Sequence, residues 1–317
     1  MRLREKWAAL SDRYGNTRVT AVTVILLIGI ASILVRLLMQ YHFDRSALLY
    51  VGLPYLISLA IVMYRPIKTY DKWWKQYRDH TFDALAVFFA SSIVLFEGFV
   101  CVIFFLPIYF FGISIAFLIH WMIESRRRRR GNTMVSILPV LILVSSLEGT
   151  TETLSVDRVS HVVVTKQANL SAAEIMQNLA EPFDLRKDRH WLLSVFPMPY
   201  EIEAGSLNAG DIHIVRTRYH RWFVTNTHEG EMHLQIADVQ PGKVKTRFLH
   251  DSTFFSSYLT PIGTEISLNE IAPEVTEITL RIDYRRKLDP AWYFHPLQQY
   301  GVSRMGEFLI DEVMIRD

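Results

Sequence analysis

The sequence predicts two domains in one chain: a helical membrane domain over 1–150, then an α+β domain over 151–317 in which an antiparallel sheet is closed by a long C-terminal helix. Three observations predict it. Half of the 317 residues are hydrophobic, and nearly all of that excess lies before Gly149. From Arg158 onward the continuous apolar runs give way to period-two alternation, the mark of strands with one covered face. From Asp289 the period lengthens again to that of an amphipathic helix.

In the first domain, a crossing helix needs roughly 20 mostly apolar residues. Val19–Met39 meets that, and Ala47–Tyr64 is slightly short, with Pro54 expected to kink it. The block from Thr81 to Ile123 is too long for one crossing and suits two, with the turn at Glu97-Gly98 or at Pro107. Met134–Leu147 completes an expected set of about five spans. Basic residues cluster before the first run (Arg2, Arg4, Lys6, Arg13, Arg18), after the second (Arg65, Lys68, Lys72, Lys75, Arg78) and before the last (Arg126 to Arg130). That is a positive-inside pattern, which puts the N-terminus in the cytoplasm and, after an odd number of crossings, the second domain outside. A re-entrant Met134–Leu147 would instead leave that domain in the cytoplasm. The arginine run is read as a topology anchor and not as a nucleic-acid patch, because no aromatic residues interleave with it. The first apolar run is too long for a cleaved signal and lacks a small-residue cleavage site.

Within "KTYDKWWKQYRDH", Tyr70, Trp73, Trp74 and Tyr77 share one helical face, as expected of a helix lying in the headgroup layer. Charges inside spans need partners, and Arg36 and Glu97 fall at similar depth, which makes them an expected ion pair. His120 reads as interfacial. The single cysteine, Cys101, excludes a disulfide framework and a cysteine-based zinc site.

In the second domain "RVSHVVVTKQ" reads as a strand, and "NLSAAEIMQNLAEP" as a helix with a capping box between Ser171 and Glu174. Five further strands follow: "GDIHIVRTRYH", "EGEMHLQIADV", "KVKTRFLH", "GTEISLNEI" and "VTEITLRIDYRR". Met232, Leu234 and Ile236 share a face, as do Ile278, Leu280, Ile282 and Tyr284. The closing helix has Asp289 as expected N-cap, Pro290 at its first position, and Phe294, Leu297, Gly301, Met305, Phe308, Leu309 and Val313 along one face. Pro296 is expected to kink it or to delay its start.

The order of these elements, the opening "VSHVVVTKQANLSAAEIMQNLAEP", the strand "GTEISLNEI" and the final amphipathic helix resemble the SRPBCC superfamily, also called START-like or polyketide cyclase/dehydrase and lipid transport. The resemblance covers Asp157–Asp317. It implies a helix-grip fold with a cavity between sheet and helix, usually for apolar ligands, and it transfers no catalytic residue. The whole architecture resembles bacterial inner-membrane proteins that carry such a domain at the C-terminus.

Three functions are weighed. In the first, the helix grip binds a lipid-like or other apolar small molecule at the outer membrane face, without catalysis. Ile212, Ile214, Met232, Leu234, Ile278, Leu280, Tyr284, Phe294, Leu297, Met305 and Phe308 then line or support the cavity, and membrane lipids are the surrounding partners. The second is a cyclase, dehydratase or hydrolase that uses the polar segment Arg216–Glu231, with His220 or Glu229 as general base and Arg216 as clamp. The third is a module that docks on another membrane protein through the aromatics of Asp251–Pro261, a segment that also reads as a lid. No nucleophile elbow, zinc-protease helix, phosphate loop or dinucleotide-binding glycine pattern is present, and no metal or cofactor is expected. His161 and His213 read as hydrogen-bonded structural residues.

Overall fold

A computed structural model of the protein describes residues 46–64, 72–94, 99–130, 144–181, 193, 198–203, 206–222 and 225–316. The chain divides into two compact units that follow one another in sequence at Val156 and Asp157.

In the first unit a π-helical turn, Leu48–Gly52, leads into helix α1, Leu53–Tyr64. Pro54 sits in its first turn and has no amide proton for the carbonyl four residues back, so the local disturbance takes the form of this wide turn. Helices α2, Trp73–Val94, and α3, Phe99–Arg130, follow. Only one stretch among the described residues, Ile103–Met122 with mean hydropathy 2.1, is long and apolar enough to cross a membrane. Among the described residues one such span is found, not about five. The apolar stretch Leu48–Ser58 is too short, and the first turns of α2 carry Lys75, Arg78, Asp79 and Asp83. The runs Val19–Met39 and most of Met134–Leu147 lie outside the described residues, as do Arg36 and Glu97.

Pro107 lies inside α3, so the chain does not turn there. Nor do the tryptophans form a separate helix in the headgroup layer, because Trp73 opens α2, which continues unbroken to Val94. Polar side chains hold these helices together from within. The Ser58 hydroxyl lies 2.7 Å from His80 Nε2 and donates to the Ile113 carbonyl, joining α1, α2 and α3. Tyr109 donates to the Ala84 carbonyl at 2.7 Å, and the Tyr77 and Ser114 hydroxyls meet at 2.7 Å. Phe82, Phe89, Phe111, Leu118 and Met122 point away from this interior and are exposed.

The second unit is a seven-stranded antiparallel sheet in the order β1-β7-β6-β5-β4-β3-β2. Its strands are β1 (Val159–Ala168), β2 (Met198–Glu203), β3 (Ile212–Trp222), β4 (Thr225–Gln240), β5 (Lys243–Asp251), β6 (Leu259–Ala272) and β7 (Val275–Arg286). Helix α4, Ala172–Ala180, lies on the path from one edge strand to the other. It begins with the expected capping box, in which Ser171 accepts from the Glu174 amide and Glu174 accepts from the Ser171 amide. The closing helix α5, Ala291–Leu309, runs on into a π-helical end, Ile310–Ile315, which Asn178 of α4 grips through the Met314 carbonyl at 2.8 Å.

Burial alternates residue by residue along β7, with Ile278, Leu280, Ile282 and Tyr284 inside. The same face of β1 presents Val162 and Val164, and that of β6 presents Ile266. Together with Ile175, Leu179, Phe308, Ile310 and Val313 these form the core. Gly306 fixes how closely the helix approaches: a Cβ there would lie 2.9 Å from Val164 Cγ2. A seven-stranded antiparallel sheet closed by one long C-terminal helix is a helix-grip architecture.

Candidate functional site

Paired residues on neighbouring antiparallel strands share a face, so the inner face can be followed across the sheet from Ile282. Ile282 pairs Thr264, Thr264 pairs Thr246, and Thr246 pairs Ile236. On β4 Leu234 and Met232 continue that face, and their partners on β3 are His213 and Val215, followed by Thr217 and Tyr219. The interior under β3 and β4 is therefore lined by His213, Val215, Thr217, Tyr219, Met232 and Leu234. His213, Thr217 and Tyr219 are buried, whereas Val215, Met232 and Leu234 are only partly so. His213 Nε2 is held 2.9 Å from the Ser206 carbonyl, a structural role.

This register corrects two assignments. Ile212 and Ile214 belong to the opposite face of β3, and Ile212 is 47% exposed. Arg216 and Arg218 share that outer face, so the polar segment points away from the interior. Arg216 pairs with Glu203 at 2.6 Å and Glu201 at 3.0 Å, and Arg218 pairs with Glu229 at 2.8 Å. The hydrogen bond to Glu203, then that to Glu201, holds the Arg216 guanidinium above its ordinary value. Cross-strand Arg–Glu ladders of this kind form the solvent-facing surface of the sheet. The His220 side chain lies outside the described residues. Of the remaining residues assigned to a cavity, Met232 and Leu234 line the interior from β4, and Ile278, Leu280 and Tyr284 from β7. On α5, Phe294 and Phe308 are buried, and Leu297 and Met305 partly so.

Sequence reasoning missed the inner set on β3, although a signal for it exists. Ile212, Ile214, Arg216 and Arg218 have one parity, and two consecutive arginines on a face argue against its being the inner one.

One end of the interior is shut by the segment after β5. A Cβ on Gly230 would lie 2.4 Å from the Ser252 carbonyl oxygen, so only glycine lets this segment cross β4 so closely. His228 Nε2 lies 3.0 Å from the same oxygen. A short 3₁₀ turn, Phe254–Ser257, then places the Phe254 ring on Tyr219 with centroids 4.3 Å apart. The segment is fixed to α5, where Gln298 Nε2 donates to the Tyr258 carbonyl at 3.0 Å, and to the end of β7 through Lys287. Phe254 is thus buried and Phe255 and Tyr258 half-buried, which corrects the reading of Asp251–Pro261 as an exposed aromatic contact.

The N-cap position of α5 is held by Pro290 and not by Asp289. The Asp289 carboxylate is buried between Arg286, itself wholly buried, and Arg158 at 2.5 Å. Two guanidiniums outbid an amide for one carboxylate. Nearby, the Ser160 hydroxyl lies 3.3 Å from His295 Nδ1. Tyr284 is cross-strand from Ser160 and wholly buried, and its hydroxyl has no partner in hydrogen-bond geometry among the described residues. An orphaned buried hydroxyl costs about 1–3 kcal/mol. Burial pushes the Tyr284 phenol up, while the Ser160 hydroxyl and the Arg286 guanidinium pull the other way. Gln298 Oε1 is a second buried atom without a partner. Among the described residues no group of three or more His, Cys, Asp or Glu is placed to hold a metal ion.

Comparison with known proteins finds no matching family model and no matching curated protein. Solved structures do match the second unit, and they are START-like proteins. A START superfamily protein from Mycobacterium smegmatis is 13% identical, with a TM-score of 0.32 over 47% of this chain and 93% of that one. An aromatase/cyclase from a Streptomyces species is 15% identical, with a TM-score of 0.31 over 48% and 92%. A major latex-like protein from Panax ginseng is 10% identical, with a TM-score of 0.28 over 48% and 98%. The helix-grip assignment itself rests on the strand order and the closing helix.

Proposed function

We propose that this chain is a membrane-anchored helix-grip module that binds an apolar small molecule, lipid-like in character, between its sheet and α5. One observation carries the ligand reading: the two halves of the inner face are filled differently. Under β1, β7 and β6 the face is closed by the C-terminal end of α5, by α4 and by the C-terminal π turn, and Ile278 and Leu280 are wholly buried. Under β3 and β4 the inward apolar residues Val215, Met232 and Leu234 stay partly accessible, beneath an end sealed by Phe254 and Tyr219. An apolar wall that is turned inward and incompletely covered is what an apolar guest fills.

The anchoring half of the proposal draws on the first unit, where the Ser58 and Tyr109 hydroxyls and the His80 imidazole face inward while Phe82, Phe89 and Phe111 face out, unlike a water-soluble bundle. With the Arg/Lys clusters cytoplasmic, the helix-grip domain stands at the outer face of a bacterial inner membrane. Catalysis through Arg216 and Glu229 is not part of the proposal, because both face outward.

Native mass spectrometry of protein extracted gently from its own membrane tests the ligand reading. We expect a co-purifying apolar molecule that is lost when Met232 and Leu234 are both changed to lysine, while an outward Ile214→Lys variant keeps it. An adduct that survives the inward changes, or no adduct at all, overturns the reading. A reporter fused after Asp317 that is active only in the cytosol overturns the orientation.

A further inference from the structure

We infer that the interior contains a subsite for a hydroxyl group, built from Tyr284 and Gln298 beside an unfilled space at Gly301; the inference rests on the apolar-ligand reading above and specifies the class of ligand. Residues 294, 298, 301 and 305 follow the spacing of one helical face, so Phe294, Gln298, Gly301 and Met305 line up along α5. At Gly301 an added Cβ would meet nothing within 4 Å among the described residues, whereas five residues later Gly306 is in hard contact with Val164. The helix therefore touches the sheet tightly near its C-terminal end and stands clear of its neighbours near its middle.

Two buried polar atoms without partners lie at that level. Tyr284 points inward from β7 opposite Pro261 of β6 and Ser160 of β1. Gln298 is tied to the Tyr258 carbonyl, and the next residue, Leu259, pairs with Arg286, two places along β7 from Tyr284. Two places on a strand are about 7 Å. The Ser160 hydroxyl, 3.3 Å from His295 Nδ1, also reaches Tyr284, where a hydrogen bond from it pulls the phenol down without using the tyrosine's own proton. The tyrosine hydroxyl thus keeps a proton to give, and Gln298 Oε1 can only accept, because the amide nitrogen of that side chain is already engaged. A group that satisfies both must accept one hydrogen bond and donate another. A hydroxyl does so, whether alcohol or phenol; a carboxylate, ether or ketone does not, since none of these has a proton to give Gln298. The ligand class is an apolar molecule that carries a hydroxyl.

The test uses the full chain in lipid nanodiscs, with empty nanodiscs as reference, titrated with 2-naphthol and with its isostere 2-methylnaphthalene. A site built to pair a hydroxyl prefers the naphthol by about tenfold. Tyr284→Phe and Gln298→Met are each expected to shrink that preference to about twofold or less, chiefly by weakening naphthol binding. Because Tyr284→Phe removes an orphaned hydroxyl, its unfolding temperature should not fall, which separates loss of a ligand contact from loss of fold. Equal binding of the two probes by the unaltered chain overturns the subsite and leaves the apolar-ligand reading standing. A naphthol preference that survives both substitutions also overturns it. Binding of neither probe counts against the apolar-ligand reading itself, and the subsite falls with it.

Discussion

The two units solve the same problem, burying polar groups next to apolar ones, in opposite senses. In the helical unit Ser58, His80 and Tyr109 lie inside and Phe82, Phe89 and Phe111 lie outside. In the helix-grip unit the outer face of the sheet is an ion-pair surface, Arg216 with Glu201 and Glu203, and Lys243 and Lys245 with Glu265, while the interior is aliphatic and aromatic. On the membrane-anchored reading proposed above, the difference follows from the solvent each exterior meets. Water leaves little net value in a surface ion pair but tolerates it freely, whereas lipid forbids it and rewards hydroxyls that find partners inside. Each half of this contrast can be broken by substitution.

The largest effect is expected where the described residues of the helix-grip unit bury an ion pair. Asp289 lies between Arg286 and Arg158 with no exposure of its own. Asp289→Asn removes the carboxylate that the two guanidiniums share, which should cost about 3–5 kcal/mol. Chemical denaturation monitored on this domain measures it. The sharper form is the double variant Arg286→Met, Asp289→Leu, expected to lose clearly less than the single change, because it removes the charges together. A double variant as unstable as the single one would mean that the network contributes through its shape and not through its charge balance.

The next effect separates the two exteriors directly. Phe111, near the middle of Ile103–Met122, and Ile212, on the outer face of β3, are similarly exposed at 52% and 47%. If both faced water, lysine at either position would change stability by no more than about 0.5 kcal/mol. With lipid outside the first unit, Phe111→Lys should cost about 2.5–3.5 kcal/mol in membrane insertion, and Ile212→Lys almost nothing. The readouts are the fraction of chain integrated into membranes and the unfolding midpoint. Equal tolerance at the two positions removes the contrast on which the anchoring proposal stands.

Within the helix-grip unit the same opposition recurs along α5, between its tight end and its open middle. Gly306→Ala forces a methyl against Val164 Cγ2 at 2.9 Å, and a β-branched side chain in a sheet has little room to yield, so a loss of about 1–3 kcal/mol is expected. Gly301→Ala meets only space, and the better helix propensity of alanine should raise stability by about 0.5–1 kcal/mol. Thermal unfolding of the two variants side by side reads the sign at each position. Destabilisation at Gly301 would show that the space opposite it is already filled.

How far the sequence reveals this arrangement depends on the range over which each residue's role is decided. The Ser171–Glu174 capping box and the alternation of β7 are set by residues a few places apart, and both are legible. Periodicity also places Met232 with Leu234 and Ile278 with Tyr284 on common faces. It does not say which face is inner, and on β3 the apolar-looking parity of Ile212 and Ile214 is the outer one, since arginines further along the strand pair with Glu201, Glu203 and Glu229. Asp289 reads locally as a helix cap, and only the fold brings Arg158, 131 positions earlier, to its carboxylate. Gly230 carries no local signal, because what it admits is a backbone crossing from Ser252. The site is legible to the extent that it depends on strand pattern and illegible where it depends on what packs across the strands.

The smallest effect probes the interior of the helical unit. Ser58→Ala removes the hydroxyl that joins His80 on α2 to the Ile113 carbonyl on α3. In a water-soluble core, stranding a buried imidazole nitrogen in this way costs about 1–3 kcal/mol. Between helices in lipid the average worth of such a bond is only about 0.6 kcal/mol, because helices separated within the membrane find other partners for the same groups. Ser58→Ala should therefore lower stability in detergent or bilayer by an amount near the lower figure, measured by steric trapping or by denaturation in mixed micelles. A loss several times larger would place His80 in an interior of the water-soluble kind and bring the two units closer together in their physics than their exteriors imply.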